Sequence, residues 1–420
     1  MDITSNFPKF TLQKFYMKNA YIIDGTRSAI GNFKGQLAGV RTDDLLASVI
    51  KSLIEKNPNL PIDKIDDVII GCANQAGEDN RNIARMAALL AGLPTSVPGE
   101  TVNRLCASGM SAIVQASRAI KSGEGDLFIA GGVEGMTRGP YAVSKPETAF
   151  GTDSKMYDTS FGWRFINPQM EKLYGTEAMG KTAENLAEMF QISREEQDQF
   201  ALNSQMKAKK AQENGRLAEE ISDIVIPQRK GDAIIFNQDE FIKPNSSMEI
   251  LGKLKPAFVK ENGSVTAGNS SGLNDGAAVS IIASENAVKE FGLKPLAKIV
   301  TSAVTGCEPR IMGIGPVEAT KLALKRANLT IEQIDIIELN EAFAAQSIAV
   351  LKELGIASDD SRVNVNGGAI ALGHPLGMSG TRITYSAALE LNKTGKKYAL
   401  ATMCIGVGQG YAVILENPNV

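Results

Sequence analysis

The chain has 420 residues, of which 43% are hydrophobic and 22% charged, the balance of a globular protein with a large core. Its net charge of −3 offers no general basic field, so nucleic acid is not an expected partner, and no stretch is long and apolar enough to suggest a membrane span. The four cysteines, Cys72, Cys106, Cys307 and Cys404, lie far apart with no Cys-x-x-Cys pair, which argues against a zinc site or disulfide framework and predicts a reduced, cytoplasmic setting.

Residues 1–16 place Phe7, Phe10 and Phe15 among polar residues and read as an extension, with the fold beginning near Met17. Residues 60–70 read as a short helical turn leading into a buried strand, and residues 329–338 repeat that pattern. Cys106 follows Ile65 by 41 residues, and His374 follows Ile334 by 40. After Cys106, residues 107–123 carry Met110, Ile113, Val114, Ser117 and Ile120 at helical spacing, and residues 126–132 read as a buried strand ending in glycines. After His374, residues 379–391 read as the matching helix and residues 398–404 as the matching strand. One unit is therefore written twice, which predicts an α/β fold with a sheet in each half. The expected halves are residues 17–137 with 274–295, and residues 296–420. Residues 138–273, with the only tryptophan (Trp163) and a charged helical run over 182–214, read as an insertion lying over the site.

Several segments carry chemistry. Cys106 opens a helix, where the positive end of the helix dipole favours a thiolate and predicts a lowered pKa. His374, the only histidine, sits among glycines and precedes Pro375, exposed to a close-approaching ligand and suited to proton transfer. Cys404 ends a strand that feeds the glycine-rich turn at Gly406, whose amides can face a developing oxyanion. Asn340 follows a buried strand and either caps a helix or holds a catalytic water. Residues 263–276, with Ala267 and Ser271, form a run of small polar residues able to clasp a flexible ligand such as pantetheine.

Together, Asn340-Glu341-Ala342-Phe343, Gly373-His374-Pro375 and Cys404-Ile405-Gly406, with the segment around Cys106, resemble the signatures of the thiolase family, in order and over nearly the whole chain from Met17. The resemblance implies the thiolase fold: two duplicated βαβαβ-type halves in five α/β/α/β/α layers, with an inserted loop domain. It implies a homodimer or homotetramer, coenzyme A and a 3-oxoacyl-CoA as substrates, and no permanently bound cofactor or metal. Cys106 resembles the nucleophile that takes the acyl group as a thioester. His374 resembles its activating base and part of an oxyanion hole whose water Asn340 positions. Cys404 resembles the acid/base at the reacting carbon, and the N–H groups of Cys106 and Gly406 the second oxyanion hole. Ser271, Ala267, Phe343 and Met179 are expected to line the substrate and CoA pocket.

Residues 71–81, 158–168 and 402–410 are most similar to 3-oxoadipyl-CoA thiolases of aromatic-acid breakdown. Their substrate tail ends in a carboxylate, for which Arg164 is the expected cation. Thiolases that make acetoacetyl-CoA often carry a histidine just before the pocket methionine; here Ala178 precedes Met179. An acetoacetyl-CoA-forming acetyltransferase and a general fatty-acid 3-ketoacyl-CoA thiolase are the alternatives. A condensing enzyme of the Cys-His-His type would need a second histidine, and a cysteine hydrolase would not need Cys404.

Overall fold

The computed structural model describes residues 18–420; the proposed extension 1–16 lies outside the described residues. The first half runs β1 (Ala20–Arg27), β2 (Gly31–Asn32), α1 (Thr42–Lys56), β3 (Asp67–Gly71), α2 (Ile83–Leu90), β4 (Gly99–Val102), α3 (Ser108–Ser122) and β5 (Leu127–Gly135). An excursion follows through β6 (Tyr141–Val143), β7 (Met156–Asp158), α4 (Pro168–Tyr174), α5 (Met179–Met189), α6 (Arg194–Glu213), β8 (Ile224–Ile226), β9 (Ile234–Phe236) and α7 (Met248–Gly252). The chain then returns as β10 (Asn274–Ser284), which pairs antiparallel with β5 from Gly135↔Asp275 to Leu127↔Ala283, and α8 (Glu285–Glu290). The second half runs β11 (Ala297–Gly306), α9 (Gly315–Ala327), β12 (Ile336–Leu339), α10 (Ala344–Glu353), α11 (Ala369–Leu372), α12 (Leu376–Thr394), β13 (Tyr398–Ile405) and β14 (Gln409–Glu416).

The strand order is β12-β13-β14-β11-β1-β10-β5-β3-β4, with β2 beside β10. The halves mirror one another. β3 lies parallel to β5 as β12 does to β13, and β5–β10–β1 are antiparallel as are β13–β14–β11. Where β4 pairs with β3, the second half has only an isolated parallel bridge, Ile337↔Val363. The expected two sheets are joined into one ten-stranded sheet, because β1 and β11 pair over Tyr21↔Lys298 and Ile22↔Ala297.

The alternation of side chains along each strand separates three cores. Val68 and Ile70 of β3 face α1 and α2, whereas Ile69 faces α3 and α12. Leu400 of β13 faces α9 and α10, whereas Ala399, Ala401 and Met403 face α3 and α12. The central helix layer is thus covered on each side by one half of the sheet, and each half of the sheet by helices on its outer side. α3 and α12 approach closely at small residues: a Cβ on Gly109 would run into Thr381 and the Gly377 carbonyl, and one on Gly380 into the backbone of Met110. This crossing lies near the N-termini of both helices, so the residues just before them are brought together.

The excursion is anchored by Arg27, fully buried on β1, which donates to both Asp239 oxygens at 2.7 and 2.9 Å. Asp239 also accepts the Ile30 N–H at 2.8 Å, so the buried carboxylate is well satisfied.

Candidate active site

Cys106 sits two residues before α3, on a turn laced by two side chains. The Leu105 N–H donates to Asn103 Oδ1 at 2.8 Å, Ser108 Oγ donates to the Leu105 carbonyl at 2.6 Å, and the Arg104 N–H donates to Ser108 Oγ at 2.9 Å. These bonds hold Leu105 at φ +47°, left-handed for a residue with a branched side chain, a conformation that costs on the order of 1–3 kcal/mol. The strained turn presents the thiol to a cavity.

The expected low thiol pKa is corrected by the structure. Burial pushes the Cys106 thiol up to about 11, against the opposing N–H groups of Gly406 and of Cys106 itself. Desolvation outweighs the helix terminus although Cys106 is only partly buried and opens onto the cavity. A protonated thiol needs a base beside it.

His374 lines the same cavity. Gly373 has φ +106°, and the Asn274 amide occupies the space a side chain there would fill. Asn274 Oδ1 accepts the His374 N–H at 2.9 Å, while its Nδ2 donates to the Gly31 carbonyl at 3.0 Å. The imidazole Nδ1 lies 2.6 Å from Ser379 Oγ, and that hydroxyl donates its one proton to the Pro375 carbonyl at 2.8 Å. Nδ1 is therefore the protonated nitrogen, which leaves the Nε2 lone pair free. Burial, then the Arg382 charge, lowers the His374 pKa to about 3, so the ring is neutral in the physiological range.

Nε2 faces Asn340 Nδ2 at 3.4 Å. Asn340 is fully buried, its N–H donates to the Thr402 carbonyl at 3.0 Å, and its Oδ1 has no partner among the described residues. It caps nothing: the residue at the N-cap of α10 is Phe343. Cys404 lies next to the end of β13, almost fully buried, and burial, followed by the proximity of Cys106, raises its pKa far above the ordinary thiol value. The turn beyond it carries Val407 at φ +63° and Gly408 at φ +79°, and the Gly406 N–H before them acts to favour the Cys106 thiolate.

Cys106, His374 and Cys404 share one cavity of about 450 Å³ with Met179, Ala267, Ser271 and Phe343. The wall is built by pairing the 266–272 loop to the turn after Asn340. The Ser271 N–H donates to the Ala342 carbonyl at 3.0 Å and the Ala344 N–H to the Asn269 carbonyl at 2.9 Å. Asn340 and Gly406 are not in the wall but stand against residues that are. Arg164, the expected carboxylate clamp, is also outside it: its Nη2 donates to Asn74 Oδ1 at 3.0 Å on the loop after β3. Sequence reasoning missed Phe258, Met312 and Lys243. Phe258 packs edge-on against Phe343 with centroids 6.0 Å apart, and Lys243, whose amine lies 4.6 Å from the Phe241 ring, is the charged residue of the wall. These come from irregular segments whose meeting no local pattern signals.

A buried trio, Cys72, Asp79 and Glu134, brings potential metal-ligand atoms within 4.8 Å of one another. The Glu134 carboxylate is taken up by backbone donors instead, the N–H groups of Ala73, Asn74 and Gly377 at 3.0, 2.9 and 2.8 Å. It braces the start of α12, just past His374.

Comparison with known proteins agrees with this arrangement. Residues 20–286 match the thiolase N-terminal domain and residues 293–417 the thiolase C-terminal domain. The chain is 57% identical to a beta-ketoadipyl-CoA thiolase of Acinetobacter baylyi, over 95% of this chain and 100% of that protein. It is 56% identical, with the same coverage, to the 3-oxoadipyl-CoA/3-oxo-5,6-dehydrosuberyl-CoA thiolase of Escherichia coli strain K12. Among solved structures, human mitochondrial 3-ketoacyl-CoA thiolase superposes with a TM-score of 0.89 at 40% identity, and the Bacillus anthracis acetyl-CoA acetyltransferase with 0.88 at 42%; each match covers 96% of this chain and 99% of the other. The duplicated halves, the shared cavity of two cysteines and one histidine, and these matches along nearly all the described chain make it a member of the thiolase family.

Proposed function

We propose that the protein cleaves 3-oxoadipyl-CoA with coenzyme A, giving acetyl-CoA and the CoA ester of the shortened dicarboxylic acid. The carrying observation is the meeting of Cys106, His374 and Cys404 on one cavity. The substrate follows from the relatives' names and their full-length match. His374 Nε2 takes the Cys106 proton, and the thiolate attacks the 3-oxo carbon. The Cys106 and Gly406 N–H groups receive the oxyanion, each well-placed donor contributing on the order of 3–4 kcal/mol. The C2–C3 bond then breaks, and its electron pair becomes the enolate of acetyl-CoA. Its oxygen is held by protonated His374 and by a water on the Asn340 amide. Cys404 delivers a proton to C2, and acetyl-CoA leaves Cys106 as an acyl thioester. The incoming CoA thiol gives its proton to the Cys404 thiolate and attacks the thioester; the departing Cys106 sulfur recovers its proton from His374. Met179, Ala267, Ser271 and Phe343 hold the acyl chain and pantetheine arm, and the chemistry uses no metal or bound cofactor.

The protein acts as a homodimer or homotetramer in this reading. Among the described residues β4 leaves one edge of the sheet unpaired, and the β6–β7 hairpin exposes Tyr141, Val143 and Met156. A cytoplasmic setting is supported by four unpaired cysteines. Among the described residues, no helix is long and apolar enough to cross a membrane. The test is CoA-dependent thiolysis of 3-oxoadipyl-CoA, 3-oxohexanoyl-CoA, acetoacetyl-CoA and a long-chain 3-oxoacyl-CoA. The highest kcat/KM is expected for 3-oxoadipyl-CoA; a preference for acetoacetyl-CoA would overturn the substrate, and no cleavage of any would overturn the activity.

A further inference from the structure

Glu341 follows Asn340 directly, yet its side chain is buried away from the cavity. Its carboxylate joins three segments that are distant in sequence. Oε1 accepts Asn364 Nδ2 at 2.7 Å, and Oε2 accepts Ser204 Oγ at 2.6 Å and the Ile370 N–H at 3.2 Å. Ser204 Oγ also accepts the Gly368 N–H at 3.0 Å. Asn364 in turn closes on β12: its Oδ1 accepts the Leu339 N–H at 2.8 Å and its Nδ2 donates to the Leu339 carbonyl at 2.9 Å.

The 363–370 loop, which leads through α11 to His374, is seated on α6 at further points. Lys207 Nζ donates to the Val363 carbonyl at 2.8 Å and Gln205 Nε2 to the Ile370 carbonyl at 3.2 Å. Gly367, at φ +84°, leaves no room for a Cβ against the backbone of Ala208. Gly368 is equally constrained, since a Cβ there would occupy the Glu341 carboxylate. Every oxygen of that carboxylate is thus used to fix the turn carrying Asn340 relative to the loop carrying His374.

We propose that Glu341 is a positioning residue, whose carboxylate sets the 3.4 Å approach of Asn340 to His374 by clamping the Asn340 turn, the loop before His374 and α6 of the insertion into one unit. This rests on the thiolase reading of the site. Loss of the clamp displaces the enolate-binding hole and leaves the CoA-binding wall, which other bonds hold, in place.

The experiment compares Glu341→Gln, Asn364→Ala, the double variant and Ser204→Ala with wild type, each as the full chain. The readouts are kcat for 3-oxoadipyl-CoA thiolysis, KM for CoA, and the urea midpoint. Small misplacements of a catalytic group cost up to about 100-fold, so Glu341→Gln is expected to lower kcat by about tenfold or more with KM for CoA within about twofold. The double variant should lose less than the product of the single losses, because both remove one clamp. Ser204→Ala should lower kcat in the same sense by a smaller factor, and decides the matter if Glu341→Gln does not fold. Wild-type kcat in a folded Glu341→Gln protein, or in Ser204→Ala when that variant must decide, overturns the proposal. So does a fall in kcat matched by a rise in KM. An inactive wild type would instead overturn the thiolase reading itself.

Discussion

The ionisation of Cys106 gives the sharpest test of the site's electrostatics. At the N-terminus of a helix a thiol ordinarily ionises more easily, but here burial holds its pKa at about 11, against an ordinary 9.0. That difference of about 2 units makes the thiolate at pH 7.5 about 100-fold scarcer than for an unshifted thiol. His374 does not titrate in the same range, because its pKa of about 3 keeps it neutral at every pH where the enzyme is handled. The measurement is the rate of Cys106 alkylation by iodoacetamide in the free enzyme, followed by loss of activity and by mass spectrometry, from pH 6 to 10. The sign is set by the raised folded-state pKa: the reactive form is lost on acidification, so the rate climbs throughout the window. It should climb by nearly tenfold per pH unit with no plateau. A plateau beginning near pH 7 would refute the reasoning, since it would mean that the helix terminus and the Gly406 N–H outweigh desolvation.

Cys404→Ala should leave Cys106 open to acylation but lower kcat for thiolysis by about 100-fold or more, the scale of a lost general acid/base; full turnover in that variant would favour a hydrolase built on Cys106 and His374 alone. Arg164→Ala should leave the ratio of kcat/KM for 3-oxoadipyl-CoA over 3-oxohexanoyl-CoA unchanged, because the guanidinium is bonded to Asn74 outside the cavity; a selective fall with the dicarboxylic substrate would restore the clamp. Asp239→Ala strands the buried Arg27 charge and should destabilise the protein by about 3–5 kcal/mol in urea denaturation, and an unchanged midpoint would show that Glu220, at 3.7 Å, suffices as its counter-ion.

The chemistry-bearing residues were legible because their neighbours are unusual. Cys106, His374 and Cys404 sit next to turns that demand glycine or a left-handed backbone, and the matching spacings of Ile65–Cys106 and Ile334–His374, one residue apart in length, exposed the duplication. Burial was not legible: a helix start can be seen in a string of letters, but the layers that desolvate the Cys106 sulfur cannot. The same limit hid Glu341, whose partner Ser204 lies 137 residues away. Arg164 was chosen for its charge and its neighbourhood, while Lys243, on an irregular stretch, occupies the wall. The pairing of β1 with β11 covers two residues of each strand, too little to mark the sequence.

The close crossing of α3 and α12 has a consequence for how this protein fails. Thiol and imidazole belong to separate halves, and neither half carries a working pair. The site is in effect a gauge of the seam between them. Any agent that eases Gly109 away from Gly377 separates nucleophile from base before either half loses its own strands or helices. Activity should therefore vanish at a lower urea concentration than the circular dichroism signal, and on dilution return after that signal, once the seam has closed.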